Sequence, residues 1–214
     1  MGKSERKGAR KNREDRKIRI PDLGYYLIIT DTKETEKNYF EGIKRKIPSH
    51  LSDRIVVKVE RTNTVNLVQK ALELRSVDPQ YRIPWIIFDR DQVKNFDEII
   101  KSAENAGLEV GWSNPCIEIF LISYFGTMPV VDGSVKCCDQ FERVFSQKTK
   151  MDYDKSDKNI YEKLCRYGVE SKALQLAESK HQQCIRDGKK IPSEMLPCTT
   201  VYILVHEINK KLVE

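Results

Sequence analysis

Long apolar runs are missing from this chain. The longest, residues 25–30 and 117–125, fall far short of the ~20 residues that a membrane-spanning helix needs. No apolar run opens the chain, so no secretory leader is expected. Glycine-rich phosphate loops are also missing. Neither GxGxxG nor GxxxxGK[ST] occurs, which counts against a nucleotide cofactor or an ATPase in this polypeptide. Six cysteines stand at 116, 137, 138, 165, 184 and 198, yet none forms a CxxC pair, and His50, His181 and His206 are scattered. Zinc sites usually announce themselves by close ligand spacing. Adjacent Cys137 and Cys138 suit neither a zinc knuckle nor an ordinary disulfide, and reduced thiols of a cytoplasmic protein are expected. No repeat of 20–50 residues is visible.

What is present is charge, unevenly placed. Of 38 basic and 32 acidic residues, nine basic and three acidic ones lie within the first 19, so the net +6 sits there and the remainder balances. A segment of this composition cannot bury apolar surface and is expected to be flexible when alone. It reads either as a solubilising leader or as an arm for a phosphate backbone, with Arg10, Lys11 and Arg13 as contacts. Hydrophobic residues make up 39% of the 214, enough for a real core.

The body alternates. Residues 25–30, 54–59, 84–88 and 108–112 read as strands, and 36–46, 63–77 and 94–105 as helices, with Thr35 as N-cap of the first. Beyond Pro115 the chain reads as mostly helical, including 159–167, 170–186 and 199–212. The first and third strands are apolar almost throughout, as in parallel sheets covered on both faces. Right-handed crossovers then give an α/β, Rossmann-like layer. The expected organisation is a basic arm (1–19), an α/β core (20–145) and a helical region (146–214) packed on or capping it. The polar stretch 146–158 is the expected hinge.

In open α/β sheets, ligands bind beyond the carboxyl ends of the strands. Two acidic groups fall there: Asp31, with Glu34 and Glu36 nearby, and Asp89-Arg90-Asp91. If the first and third strands are neighbours, these carboxylates meet. Converging carboxylates stay ionised cheaply only around a hard cation, and Mg²⁺ or Mn²⁺ suits such oxygen ligands. The alternative is that each is merely a helix cap after a strand. In Ser113-Asn114-Pro115-Cys116-Ile117-Glu118, Asn114 reads as a cap, Pro115 as first turn, and Glu118 as a side chain near the same edge. Cys116 has no histidine nearby in sequence to make it a nucleophile. Tyr25, Tyr26, Trp85 and Trp112 read as core rather than as base-stacking surfaces.

Taken in order, these segments resemble the RloB family of phage-defence proteins. The matching segments are Ile28-Ile29-Thr30-Asp31-Thr32, Thr35-Glu36-Lys37-Asn38-Tyr39-Phe40, Phe88-Asp89-Arg90-Asp91, Ser113 onward to Leu121, and Pro197-Cys198-Thr199-Thr200-Val201. The chain departs from the family pattern at three points: Asp31 stands for a glutamate, Thr32 for a glycine and Lys37 for a proline. The resemblance implies a Toprim-like parallel core and a Mg²⁺-dependent nuclease. Asp31, Asp89 and Asp91 would hold metal, Asp31 would double as acid/base, and Glu36 and Glu118 would complete the carboxylate ring. Lys33, Lys37 and Arg90 would meet the nucleic acid, which is RNA (tRNA included) or DNA. The implied setting is antiphage abortive infection beside an ABC- or OLD-type ATPase, with self-association left open. Asp31 is one methylene shorter than glutamate, and ~1 Å of misplacement costs about 10²-fold in a positioned reaction. A non-catalytic binding or sensor subunit is therefore the competing expectation. A phosphate-transfer enzyme on a small substrate is a third, disfavoured by the lack of a phosphate-cradling loop.

Overall fold

The computed structural model describes residues 23–31, 34–60, 64–77, 83–91 and 93–213. The basic arm, with Arg10, Lys11 and Arg13, and also Thr32 and Lys33, lies outside the described residues. Strands β1 (Tyr26–Thr30), β2 (Ile55–Val59), β3 (Ile83–Asp89), β4 (Glu109–Asn114) and β5 (Cys198–Thr199) form one sheet in the order β2-β1-β3-β4-β5. The first four are parallel and β5 is antiparallel. The crossovers are helices α1 (Thr35–Lys46), α2 (Thr64–Val77) and α3 (Phe96–Asn105).

Side chains alternate across a strand, and here both sets are apolar. Tyr26 and Ile28 of β1, with Trp85 and Ile87 of β3, face a core shared with α1 and the C-terminal helices. Leu27, Ile29, Ile86 and Phe88 face the opposite layer, formed with α2 and α3. Both-face burial is what the two nearly continuous apolar runs predicted, and the fold is the expected α/β type with a Rossmann-like parallel core. The core reading of the aromatics holds for Tyr26, Trp85 and Trp112, all buried, while Tyr25 is half-exposed under Arg54.

From β1 the chain steps outward to β2, then crosses back over β1 to β3 and β4. The loops after β1 and β3 therefore part in opposite directions, and the crevice left between them is the topological switch point of the sheet.

The C-terminal helices are α4 (Glu118–Ser123), α5 (Ser134–Thr149), α6 (Ile160–Tyr167), α7 (Glu170–Arg186) and α8 (Val201–Val213). All six residues of α4 are buried. Helix α6 lies on α1, α7 beside α4, and α8 against β4. A polar knot ties four of these elements together. Tyr39 and Tyr124 share a hydroxyl hydrogen bond of 2.7 Å, Tyr161 donates to Glu170 Oε2 at 2.8 Å, and Asn209 donates to Glu170 Oε1 at 2.8 Å. Among the described residues no helix is long and apolar enough to cross a membrane.

Several local expectations need correction. Thr35 is not a cap but the first residue of α1, and its hydroxyl is drawn instead to Tyr153 at 3.0 Å. Asn114 is likewise no cap: it ends β4, and its amide donates to the carbonyls of Pro192 and Ser193, both at 3.2 Å. Helix α4 starts later, at Glu118. The expected hinge is not one. Residues 146–149 finish α5, Lys150 takes the left-handed conformation that stops it, and Tyr153 packs back on Phe141 and Phe145. Strand β5 has no counterpart in the sequence reading, because two residues carry no periodic signal; it pairs through Ser113 and Asn114 and adds a Ser113–Thr199 hydroxyl contact of 3.2 Å.

Candidate active site

Asp31 follows β1 directly and Asp89 is the last residue of β3. Because β1 and β3 are neighbours, both acids reach the switch point. The third segment is drawn in by the backbone. Arg90 N–H donates to Ser113 O at 2.8 Å and Asp91 N–H to Pro115 O at 3.0 Å, so the loop before α4 folds over the end of β3. Ile117 N–H then donates to Asp89 Oδ2 at 3.0 Å. The first turn of α1 supplies Glu36 from the other side.

The result is a cavity of about 710 Å³ lined by Asp31, Glu36, Asp89, Asp91 and Glu118, together with Glu34 and Asp139. All five acids expected from the sequence share it. They do not share one environment. Glu36 and Glu118 are buried, Asp31 is half-buried, Asp89 is half-buried as a residue but with its carboxyl end enclosed, and Asp91 is exposed at the rim, where Ser134 donates to its Oδ1 at 2.5 Å. Thr64, opening α2, donates to Asp31 Oδ2 at 2.8 Å and fixes that carboxylate. Glu118 Oε1 accepts from Tyr153 at 3.0 Å and lies 3.6 Å from Lys155 Nζ.

The electrostatics follow from this crowding. Burial first, then the charges of Glu36 and Glu118, and more weakly that of Asp31, push Asp89 well above the usual carboxylate range, against the opposing pull of the Ile117 amide. Asp31 is also raised, by burial, with the Thr64 hydroxyl partly offsetting it. For Lys155, partial burial works against the charge, but Glu118 and the neighbouring thiols outweigh it and raise the pKa. Asp89 Oδ1 is buried with no hydrogen-bond donor. An orphaned carboxylate oxygen facing other acids is a costly arrangement for a protein alone. It fits a hard divalent cation, which accepts oxygen ligands and lowers the pKa of each carboxylate that holds it.

The cations expected at the site are placed differently. Lys33 lies outside the described residues, and Lys37 and Arg90 are half-buried but do not line the cavity. Among the described residues the cation that does line it is Lys155, which sequence reasoning missed, along with Tyr153, Ser134 and Cys138. One signal was available: Tyr153 and Met151 are apolar anchors inside an otherwise polar stretch, and such anchors mark a packed loop rather than a linker.

No curated protein and no solved structure matches the chain. A family model described as RloB-like protein matches residues 26–208, which takes in the whole sheet from β1 on and the first eight residues of α8. The acids at the switch point fall inside that span, and the chain belongs to the RloB-like protein family.

Proposed function

We propose that this protein is a Mg²⁺- or Mn²⁺-dependent nuclease of the Toprim type. It acts on RNA, with tRNA the favoured class, or on DNA, as the effector of an antiphage abortive-infection system that includes an ABC- or OLD-type ATPase. One observation carries this reading: five carboxylates converge on the switch-point cavity around a buried Asp89 oxygen that lacks a donor. Asp31, Asp89 and Asp91 would hold the cation, with Glu36 and Glu118 completing the ring. The bound cation supplies Lewis acidity and a nucleophilic water at neutral pH.

The chain's own groups do the rest. The Thr64 hydroxyl and the Ile117 amide hold Asp31 and Asp89 in place, so neither carboxylate must reorganise. Tyr153 orients Glu118. Lys155 offers a positive charge at the cavity wall for a phosphate oxygen. The basic arm would grip the phosphate backbone, and binding would then weaken steeply with salt. The aspartate at 31, where the family pattern has glutamate, favours a second reading, in which the protein is a non-catalytic nucleic-acid-binding or sensor subunit of the ATPase complex.

Incubation of wild type and Asp89→Ala with RNA and DNA in Mg²⁺ or Mn²⁺, with and without the partner ATPase, separates the two. Cleavage by wild type and its loss by about 10³-fold or more in Asp89→Ala is the expected result for a group that places a metal. Cleavage that survives Asp89→Ala would remove Asp89 from the site. Wild type that binds but never cuts would establish the sensor reading.

A further inference from the structure

The cavity has a second wall of different chemistry. Cys116 sits in the loop between β4 and α4, two residues before Glu118, and Cys138 is on the first turns of α5. Cys116 and Glu118 are buried, and Cys138 is half-buried. Both thiols and Glu118 line the cavity. One ligand atom from each, Cys116 Sγ, Cys138 Sγ and a Glu118 carboxylate oxygen, lie within 4.8 Å of one another. Adjacent positions on a helix point about 100° apart. The Cys137–Cys138 pair is therefore split: Cys137 enters the apolar core and Cys138 turns to the cavity.

We propose that Cys116, Cys138 and Glu118 form a thiolate–carboxylate site for a borderline-soft divalent cation, Zn²⁺ above all, which shares Glu118 with the carboxylate ring beside it but adds two sulfur ligands. Zinc–sulfur bonds of about 2.3 Å in a tetrahedron place two sulfurs ~3.8 Å apart. The donors need to draw in by no more than about 1 Å to reach that edge. Ligand softness sorts the two walls. Thiolates select Zn²⁺ or a similar ion, whereas carboxylates alone suit Mg²⁺ and Mn²⁺. Binding exchanges two thiol protons for the dication and frees Glu118 from its 3.6 Å approach to Lys155. Three protein donors leave a tetrahedral ion one further position, the pattern of zinc sites that take water or substrate rather than closed structural ones. The ion would also pin α5 to the loop that carries Ile117 onto Asp89. Sequence spacing hid this group, since Cys138 lies 22 positions after Cys116.

The test uses the full chain, reduced and stripped of metal, titrated with Co²⁺ as a spectroscopic stand-in for Zn²⁺. The expected result is a near-ultraviolet thiolate-to-cobalt charge-transfer band with the strong visible bands of a tetrahedral ion, displaced by Zn²⁺ but not by Mg²⁺. Cys116→Ser and Cys138→Ser should each reduce the band and weaken Co²⁺ binding by at least about 10–100-fold. Glu118→Gln should weaken binding and alter the visible bands while keeping sulfur-to-metal absorption. Cys165→Ser, a thiol outside the cavity, should bind as wild type does. Circular dichroism of each variant establishes that it is folded. Absence of the charge-transfer band in reduced wild type overturns the proposal, as does a band that survives the double Cys116→Ser, Cys138→Ser change. The readout is sulfur ligation, so a failure of nuclease activity leaves it untouched.

Discussion

Asp89→Asn is expected to melt at a higher temperature than wild type in metal-free buffer at neutral pH, and to lose Mg²⁺- or Mn²⁺-induced stabilisation. In wild type, the Asp89 carboxyl is buried among Glu36, Glu118 and Asp31, and one of its oxygens has no donor. An asparagine keeps an acceptor for the Ile117 amide and turns an NH₂ toward those acids. Removing a buried, poorly satisfied charge is worth about 1–3 kcal/mol. For a chain of this size each kcal/mol shifts Tm by about 2–4 °C.

The pH dependence has a definite sign. The folded pKa of Asp89 is raised above its unfolded value, so the stability owed to its protonated form is complete below the unfolded pKa. That stability is lost as pH rises through the raised folded value. The Tm gap between Asp89→Asn and wild type should therefore be small in acid and widen toward neutrality. Mg²⁺ should narrow it by stabilising wild type alone. Thermal melts across pH, with chelator or with Mg²⁺, measure both effects. A gap that is absent at neutral pH, or flat with pH, would show that Asp89 carries no such strain. A residue whose removal stabilises the fold is one kept for function rather than for folding.

Gly42→Ala is expected to cost about 3 kcal/mol, at the upper end of the overpacking range. A Cβ at Gly42 would sit 2.4 Å from Tyr161 Cβ and 3.0 Å from its Cγ. These atoms are next to the α6 backbone, so no rotamer change relieves the clash, and α1 and α6 must separate. Tyr161 is held by its bond to Glu170 and by edge-on contact with Tyr39. The ~1 kcal/mol that alanine gains over glycine in a helix does not offset this. Because α1 also carries Thr35 and Glu36 to the cavity, metal-dependent stabilisation should shift to higher Mg²⁺. Denaturant unfolding gives the loss directly, and an unchanged midpoint would refute the close-packing argument. Gly111→Ala makes a useful contrast. The one close approach of its Cβ is to Ile87 Cδ1 at 2.5 Å, the far end of a flexible side chain, with Val201 at an ordinary 3.7 Å, and a smaller loss is expected.

Much of the sheet is legible in the residues alone. The runs at 25–30 and 84–88 are apolar at every or nearly every position, and only a strand covered on both faces tolerates that. The bounds expected for Glu170–Arg186 match the helix, because the run holds no glycine or proline and is flanked by Gly168 and Gly188. The misreadings share a cause. Thr35 and Asn114 carry the residue types of caps, but each hydrogen-bonding group found a distant partner instead, Tyr153 or the carbonyls of Pro192 and Ser193. Local propensity describes what a side chain does when nothing else is in reach.

Residue type and order alone determined that this chain forms a two-sided parallel sheet and that Asp31 and Asp89 stand at strand ends, because burial period and strand polarity are properties of short segments. The neighbouring of β1 and β3, which turns separate acids into one cavity, was decided by the crossover topology. The approach of Lys155, Tyr153 and Cys138 to Glu118 was decided by packing of α5 and its trailing loop across the core. Those contacts join residues 20 to 37 positions apart, and nothing in a single sequence weighs one such pairing against another.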